Sequence, residues 1–432
     1  MKILIAILVF SLIIIVHELG HFILAKKNGV YVTEFSIGMG PRIVSTVKGE
    51  TRYSIKLLPF GGSCMMLGED EDAGDDERAF GKKSVWARIS IIAAGPIFNF
   101  ILAFVVSLFV VGISGYDPAT ILSVEAGSPA AEAGLQAGDT ITKIDGHTVD
   151  ISRDIDMYLQ FNPLNGDSLD VSYKRDGETY KTTLTPVLKD TYMLGFSYNP
   201  GSGDATIASL YENYPLYNAG LQIGDIITSV DGTAIHSGTE LSAYFNSHPL
   251  TDQAVTITYE RDGVSYETTA TPAYVNTAYS LGANINGYLV KTNAWGVIKY
   301  SAVQVKFWIK TTIGSLGQIF KGKVTADDIA GPVGLVNVIG SAYEDSKEYG
   351  LTSVLVSIGT WIILISANLG VMNLLPIPAL DGGRLVFMFL EVIRGGKQIP
   401  KEKEGMIHMI GLVALMVLMV FVMFNDITNL FK

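Results

Sequence analysis

His17-Glu18-Leu19-Gly20-His21 fits the pattern H-E-x-x-H. On a helix, residues four apart share a face, so both imidazoles can reach one zinc ion and Glu18 stands beside them to activate bound water. In a chain of 432 residues such a match arises by chance about one time in a hundred. Its setting makes it more specific. All three side chains fall inside an apolar stretch, residues 3–25, where each ionisable group costs about 2.5 kcal/mol or more near a bilayer centre. The bland alternative is a polar patch buried against another helix.

Two neutral histidines leave zinc in need of a third protein ligand, usually a carboxylate. Asp381 is the candidate, in Asn373-Leu-Leu-Pro-Ile-Pro-Ala-Leu-Asp381-Gly-Gly-Arg384. Pro376 and Pro378 break the helix before it, and Gly382-Gly383 permit a tight turn. Irregular backbone at membrane depth is tolerated only where it lines a cavity. A helix-capping aspartate is the alternative. Zinc held by two neutral histidines and one carboxylate keeps a net positive charge and lowers the pKa of its water to about 7. Glu18 is then the general base, and the donor of that proton to the leaving nitrogen. His147, His236, His248 and His408 show no ligand spacing and read as structural or solvated.

The elements that must carry these residues are membrane spans. The chain is 48% hydrophobic and only 17% charged, against about 25% charged in soluble proteins. Its net charge of -11 argues against a nucleic-acid partner, and the single cysteine, Cys64, excludes an internal disulfide. Residues 3–25, 85–113, 351–375 and 405–424 are each long enough, at about 20 residues, to cross about 30 Å of hydrocarbon. Residues 295–316 are weaker. Their Lys299, Lys306 and Lys310 share one helical face, which suits a helix lying on the membrane surface.

Lysine and arginine crowd the segments after the first span and between the last two. This places those segments in the cytoplasm, with both termini and the long insert outside. The first and third spans then run the same way and bring His17, His21 and Asp381 to one level, towards the cytoplasmic side. A fifth span would reverse that parity.

The insert repeats itself. Ala133-Gly-Leu-Gln-Ala-Gly-Asp139 recurs as Ala219-Gly-Leu-Gln-Ile-Gly-Asp225, and Arg175-Asp-Gly177 as Arg261-Asp-Gly263. The unit is a small domain of short β-branched runs and Asp-Gly turns. It resembles PDZ domains, which bind extended peptides at a sheet edge, although plain structural β-domains are the alternative. The second copy has Asn213-Tyr-Pro215 in place of Gly127-Ser-Pro129, so the two can differ in ligand. Tethered at both ends to spans, the insert reads as a gate that admits membrane proteins only after their outer domains are trimmed. Peptide capture is the competing role.

Taken together, these motifs resemble the site-2 protease family, closest to its bacterial RseP-type branch. Ala94-Gly-Pro-Ile-Phe-Asn99, Gly331-Pro-Val-Gly334, Gly38-Met-Gly-Pro41 and Leu58-Pro-Phe-Gly-Gly62 extend the match over nearly the whole chain. The resemblance implies cleavage of single-span membrane proteins already cut by another protease, typically anti-sigma factors or remnant signal peptides. It implies that Asn373 holds substrate near the zinc. It also implies that residues 31–58, with Gly38, Met39 and Gly40, form a membrane-associated β-hairpin that receives substrate as a strand.

The expected architecture is a polytopic α-helical membrane protein of the bacterial inner or plasma membrane, with four transmembrane helices. Two tandem extracytoplasmic PDZ-like α+β domains lie between spans two and three. Residues 1–113 hold the first two helices and a cytoplasmic-side hairpin. Residues 119–190 and 205–277 form the PDZ-like domains, 294–320 the amphipathic surface helix, and 351–432 the last two helices with Asp381. The partners expected are single-span substrates, the lipid bilayer and peptides of the PDZ-like domains. A PDZ scaffold with a relic metal site is the main rival; the complete set His17, Glu18, His21 and Asp381 argues against it. A metal transporter would need polar residues spread along the spans. The acidic run at 69–77 reads as a solvated loop.

Overall fold

The computed structural model describes residues 2–69, 74–198, 203–285, 288–324 and 331–430, so part of the acidic run lies outside the described residues. The chain forms two compact units: Met1–Tyr116 with Leu289–Lys432, and Asp117–Tyr288.

The first unit begins with α1 (Lys2–Lys27), β1 (Val32–Lys48), β2 (Thr51–Met66) and α2 (Val85–Ser114). Helix α1 buries Ala6, Val9, Ile13, His17, Gly20 and His21, a stripe at helical spacing that includes both histidines. A Cβ on Gly20 would stand 2.5 Å from the Ala94 carbonyl oxygen, so only glycine lets α1 approach α2 here. Ser84 caps α2 by accepting the Ala87 N–H at 3.3 Å.

The hairpin is more folded than two strands. Phe35 pairs with Cys64 on one side and Tyr53 on the other, Ile37 pairs with Gly62 and Ile55, and Val44 returns to pair with Ile55. Four segments therefore lie side by side in the order 62–66, 32–37, 52–55, 44–48, and residues 62–66 form an edge. Arg42 donates to both Glu34 oxygens, at 3.0 and 2.7 Å, and holds that carboxyl down at about 2.

The second unit runs β3 (Ser123–Val124), α3 (Pro129–Glu132), β4 (Thr140–Ile144), β5 (His147–Thr148), α4 (Ser152–Phe161), β6 (Leu169–Arg175), β7 (Glu178–Leu184), β8 (Val187–Met193) and β9 (Phe196–Tyr198). It continues through β10 (Ile207–Leu210), α5 (Pro215–Asn218), β11 (Ile226–Val230), β12 (Thr233–Ala234), α6 (Gly238–Ser247), β13 (Val255–Arg261), β14 (Val264–Ala270), β15 (Ala273–Ser280) and β16 (Ala283–Asn284). The sequence repeat becomes two matching sheets, β5-β4-β6-β7 and β12-β11-β13-β14. The repeated motifs meet inside each: Arg175 donates to both Asp139 oxygens at 2.7 Å, and Arg261 does the same to Asp225.

A further repeat escapes the sequence reading. Leu194-Gly195-Phe196 opens the second domain, and Leu281-Gly282-Ala283, after that domain, completes the first by pairing β16 with β3. Domain one therefore extends beyond residues 119–190 to include the strand near 281–285, whose side chains join its core.

The chain returns to the first unit with α7 (Ala294–Phe320), α8 (Pro332–Lys347), α9 (Leu351–Asn373), α10 (Asp381–Ile393) and α11 (Lys401–Leu430). Among the described residues, four helices are long and apolar enough to cross a membrane, within α1, α2, α9 and α11. Helix α7 occupies the position of the surface helix expected at 294–320. Val305 joins Ala103 of α2 with Ile363 and Ala367 of α9 in one buried cluster, while Trp295, Ile298, Ile313 and Phe320 of the same helix stay exposed. Asp426 of α11 accepts the N–H groups of Gly331 and Gly334 at 2.9 and 2.8 Å, filling the open donors at the start of α8.

Candidate active site

Both histidines lie on the buried stripe of α1, and Asp381 is the first residue of α10. His17 Nε2 and His21 Nε2 are 3.2 Å apart, and Asp381 Oδ2 lies 3.2 Å from the first and 3.5 Å from the second. A tetrahedral zinc with bonds of about 2.0–2.1 Å has edges of about 3.3–3.4 Å, so this triangle fits one face of its coordination shell. Among the described residues, Asp381 Oδ2 is buried and faces the two imidazoles rather than a backbone N–H, and the helix cap is Leu380, which argues against a capping role for Asp381.

The rings are held from behind. His21 Nδ1 donates to the Ile91 carbonyl at 2.9 Å, which leaves Nε2 unprotonated and facing the other donors. Asn99 Nδ2 lies 3.2 Å from His17 Nδ1, while Asn99 Oδ1 is buried without a hydrogen-bond partner among the described residues. Turning the amide end for end presents Oδ1 to the Nδ1 proton of His17. Gly95 makes the approach possible, because a Cβ there would stand 2.3 Å from His21 Nε2. Sequence reasoning took Asn99 only from the family resemblance. Its own signal is that of His17: a polar side chain deep in an apolar span.

Asp381 is delivered by the loop that follows α9. Gly382 and Gly383 fit beneath it, since Cβ atoms would stand 2.1 Å from the Leu375 oxygen and 2.5 Å from the Ile377 oxygen. Ala379 adopts φ +76°, a left-handed conformation that costs a non-glycine residue about 1–2 kcal/mol. The other non-glycine residues at positive φ, among those described, are all Asp or Asn in turns.

A cavity of about 450 Å³ opens on His17, His21, Asp381 and Glu18, and its other wall includes residues 62–69. The edge segment of the hairpin thus borders the site. A Cβ on Gly62 would stand 3.2 Å from Glu18 Cγ. Gly38, Met39 and Gly40 are not among the residues lining that cavity, nor is Asn373, which ends α9. Gly38, at φ +84°, lies where a Cβ would come within 2.4 Å of the Leu58 oxygen, so it permits the bend of β1.

The profile of peptidase family M50 matches residues 5–418. A putative zinc metalloprotease of Clostridium acetobutylicum is 34% identical over 99% of this chain and 97% of its own length. The regulator of sigma-W protease RasP of Bacillus subtilis is 29% identical over 98% of each chain. Among solved structures, the PDZ domain of an SdrC-like protein from Listeria monocytogenes aligns at 29% identity over 17% of this chain and 74% of its own, with a TM-score of 0.15. With the family profile matched over nearly its whole length, and with these relatives, the chain belongs to peptidase family M50, the site-2 proteases, and is a zinc metalloprotease.

Proposed function

We propose that this protease hydrolyses peptide bonds within the transmembrane segments of single-span membrane proteins, with zinc held by His17, His21 and Asp381. The observation that carries the reading is the donor triangle of 3.2, 3.2 and 3.5 Å, built on a helix apolar enough to cross a membrane. Zinc held by His17, His21 and Asp381 would polarise a water and the scissile carbonyl and lower the water's pKa to about 7. Glu18, on the wall of the same cavity, takes the proton of the attacking water and returns it to the leaving nitrogen. Ile91 and Asn99 keep both rings turned with Nε2 towards the site.

A helical substrate hides its amides in internal hydrogen bonds and must unwind before it is cut. The edge at residues 62–66, beside Glu18, offers such a segment a strand to pair with. Gly38, Met39 and Gly40 shape the hairpin behind that edge, and Asn373 holds substrate near the zinc. The substrates are single-span proteins trimmed beforehand, such as anti-sigma factors or remnant signal peptides. The name of the Bacillus subtilis relative, a regulator of sigma-W protease, supports the first class. The protein sits in the bacterial cell membrane with four spans, its termini and tandem PDZ-like domains outside.

The two PDZ-like domains differ where peptide would bind. In the second, Phe196 stacks on Tyr198 at 5.6 Å and meets Phe245 at 6.5 Å, so aromatic rings fill the groove beside α6. In the first, Ala283 stands where the second has Phe196, and a cavity of about 490 Å³ opens among Ile121, Leu135, Ile144, Ile155, Leu159 and Ile285. This supports domain one as the peptide binder. The function is tested with the purified protein in liposomes and a labelled single-span substrate. Cleavage should stop on adding a zinc chelator and return with zinc, and cleavage that ignores the chelator overturns the proposal.

A further inference from the structure

We infer that His408 of α11 is a positioning residue for the third metal ligand. It acts through Ala379, whose left-handed backbone at φ +76° lies two residues before Asp381. The Ala379 N–H donates to His408 Nδ1 at 2.8 Å, a link between the fourth span and the ligand loop. Two contacts of the same helix face support it. The His408 ring lies 5.6 Å from the Phe387 ring of α10, which fixes its orientation. One turn further on, a Cβ on Gly411 would stand 2.5 Å from Pro378 Cβ and 2.6 Å from its carbonyl oxygen, so only glycine lets α11 press on the loop.

The physical reasoning runs through the backbone. Alanine disfavours the left-handed region, and an unheld loop would relax Ala379 to negative φ. That rotation reorients the peptide leading into Asp381 and carries Oδ2 away from the two imidazoles. A neutral ring with its proton on Nε2 presents Nδ1 as an acceptor, and this hydrogen bond holds the strained conformer. The histidine that sequence spacing leaves without a role is therefore placed behind the metal site.

This inference rests on the reading of His17, His21 and Asp381 as zinc ligands. A wild-type protein that binds no zinc defeats that reading, whereas comparing variants at position 408 tests the inference alone. In the purified full chain, zinc affinity is measured by competition with a chelator, and the visible absorption of the cobalt-substituted protein reports ligand geometry. His408→Phe keeps a ring against Phe387 but removes the acceptor. It should weaken zinc binding by about 10–100-fold and alter the cobalt spectrum. His408→Asn places an amide oxygen near the Nδ1 position and should restore both. Adding Ala379→Gly to His408→Phe removes the left-handed penalty and should recover much of the affinity. If His408→Phe does not accumulate as a folded protein, His408→Leu is read in the same way. Wild-type zinc affinity and cobalt spectrum in the variant lacking an acceptor overturn the inference. So does equal impairment in His408→Asn, or absence of any rescue by Ala379→Gly.

Discussion

His17 Nε2 and Asp381 Oδ2 stand 3.2 Å apart, although they enter the site from opposite ends of the chain. Helix α2 lies against α1 and supplies Gly95, whose missing side chain leaves room for the His21 ring. On the far side, Gly382 and Gly383 let α10 begin directly under the loop that leaves α9. The candidate metal site therefore depends on backbone approaches that only glycine allows, as well as on its three donors.

Asp381→Ala should lose most of its zinc. The two imidazoles alone hold the ion poorly and leave its charge uncompensated in a low-dielectric site. Metal content by emission spectroscopy after dialysis checks this. A variant that keeps full zinc and full activity would remove Asp381 from the ligand set.

Asn99→Leu should lower zinc affinity by about 10–100-fold without removing a ligand, because the His17 Nδ1 proton loses its acceptor. Chelator competition measures it. Unchanged affinity would mean that the amide does not orient the ring.

Gly62→Val should retain zinc and lose cleavage. Its side chain would press on Glu18 Cγ, 3.2 Å from even a Cβ there, and on the edge strand offered to substrate. A misplacement of about 1 Å at such a site can cost about 100-fold in rate. Steady-state kinetics with a metal assay separate this from ligand loss, and wild-type turnover would show that the edge does not serve the reaction.

Much of this site is legible in the sequence, for reasons that differ by residue. His17, Glu18 and His21 declare themselves because helical spacing is fixed and ionisable groups are costly in an apolar span. Asp381 is the carboxylate that the chemistry of the motif asks for, and its Oδ2 lies within 3.5 Å of both imidazoles. The edge at residues 62–66 is harder to foresee, because β1 bends and pairs with β2 on both sides, and such a register leaves no periodic trace. The packing of Val305 of α7 against α2 and α9 is not visible in the lysine spacing that marks the other face of that helix. The strand at 281–285 is hard to foresee, because it returns to domain one only after the whole of domain two. His408 carried no signal beyond being a polar residue in a span.

The insert offers a pair of measurements. Removing Asp117–Tyr288 should let the protease cut untrimmed substrates that it normally spares, if the insert is a gate. Ala283→Phe, which copies the filled groove of domain two, should raise KM for trimmed substrate while leaving kcat in place, if domain one captures peptide. Deletion without any gain on untrimmed substrate overturns the gate, and an unchanged KM overturns capture.

The central claim, that this is a zinc hydrolase acting through Glu18, is tested most directly by Glu18→Gln in the purified protein. Zinc content and cleavage of a single-span substrate are measured on the same preparation. Full zinc occupancy with cleavage reduced by at least about 100-fold is the expected result. Cleavage at the wild-type rate with zinc still bound would contradict the account.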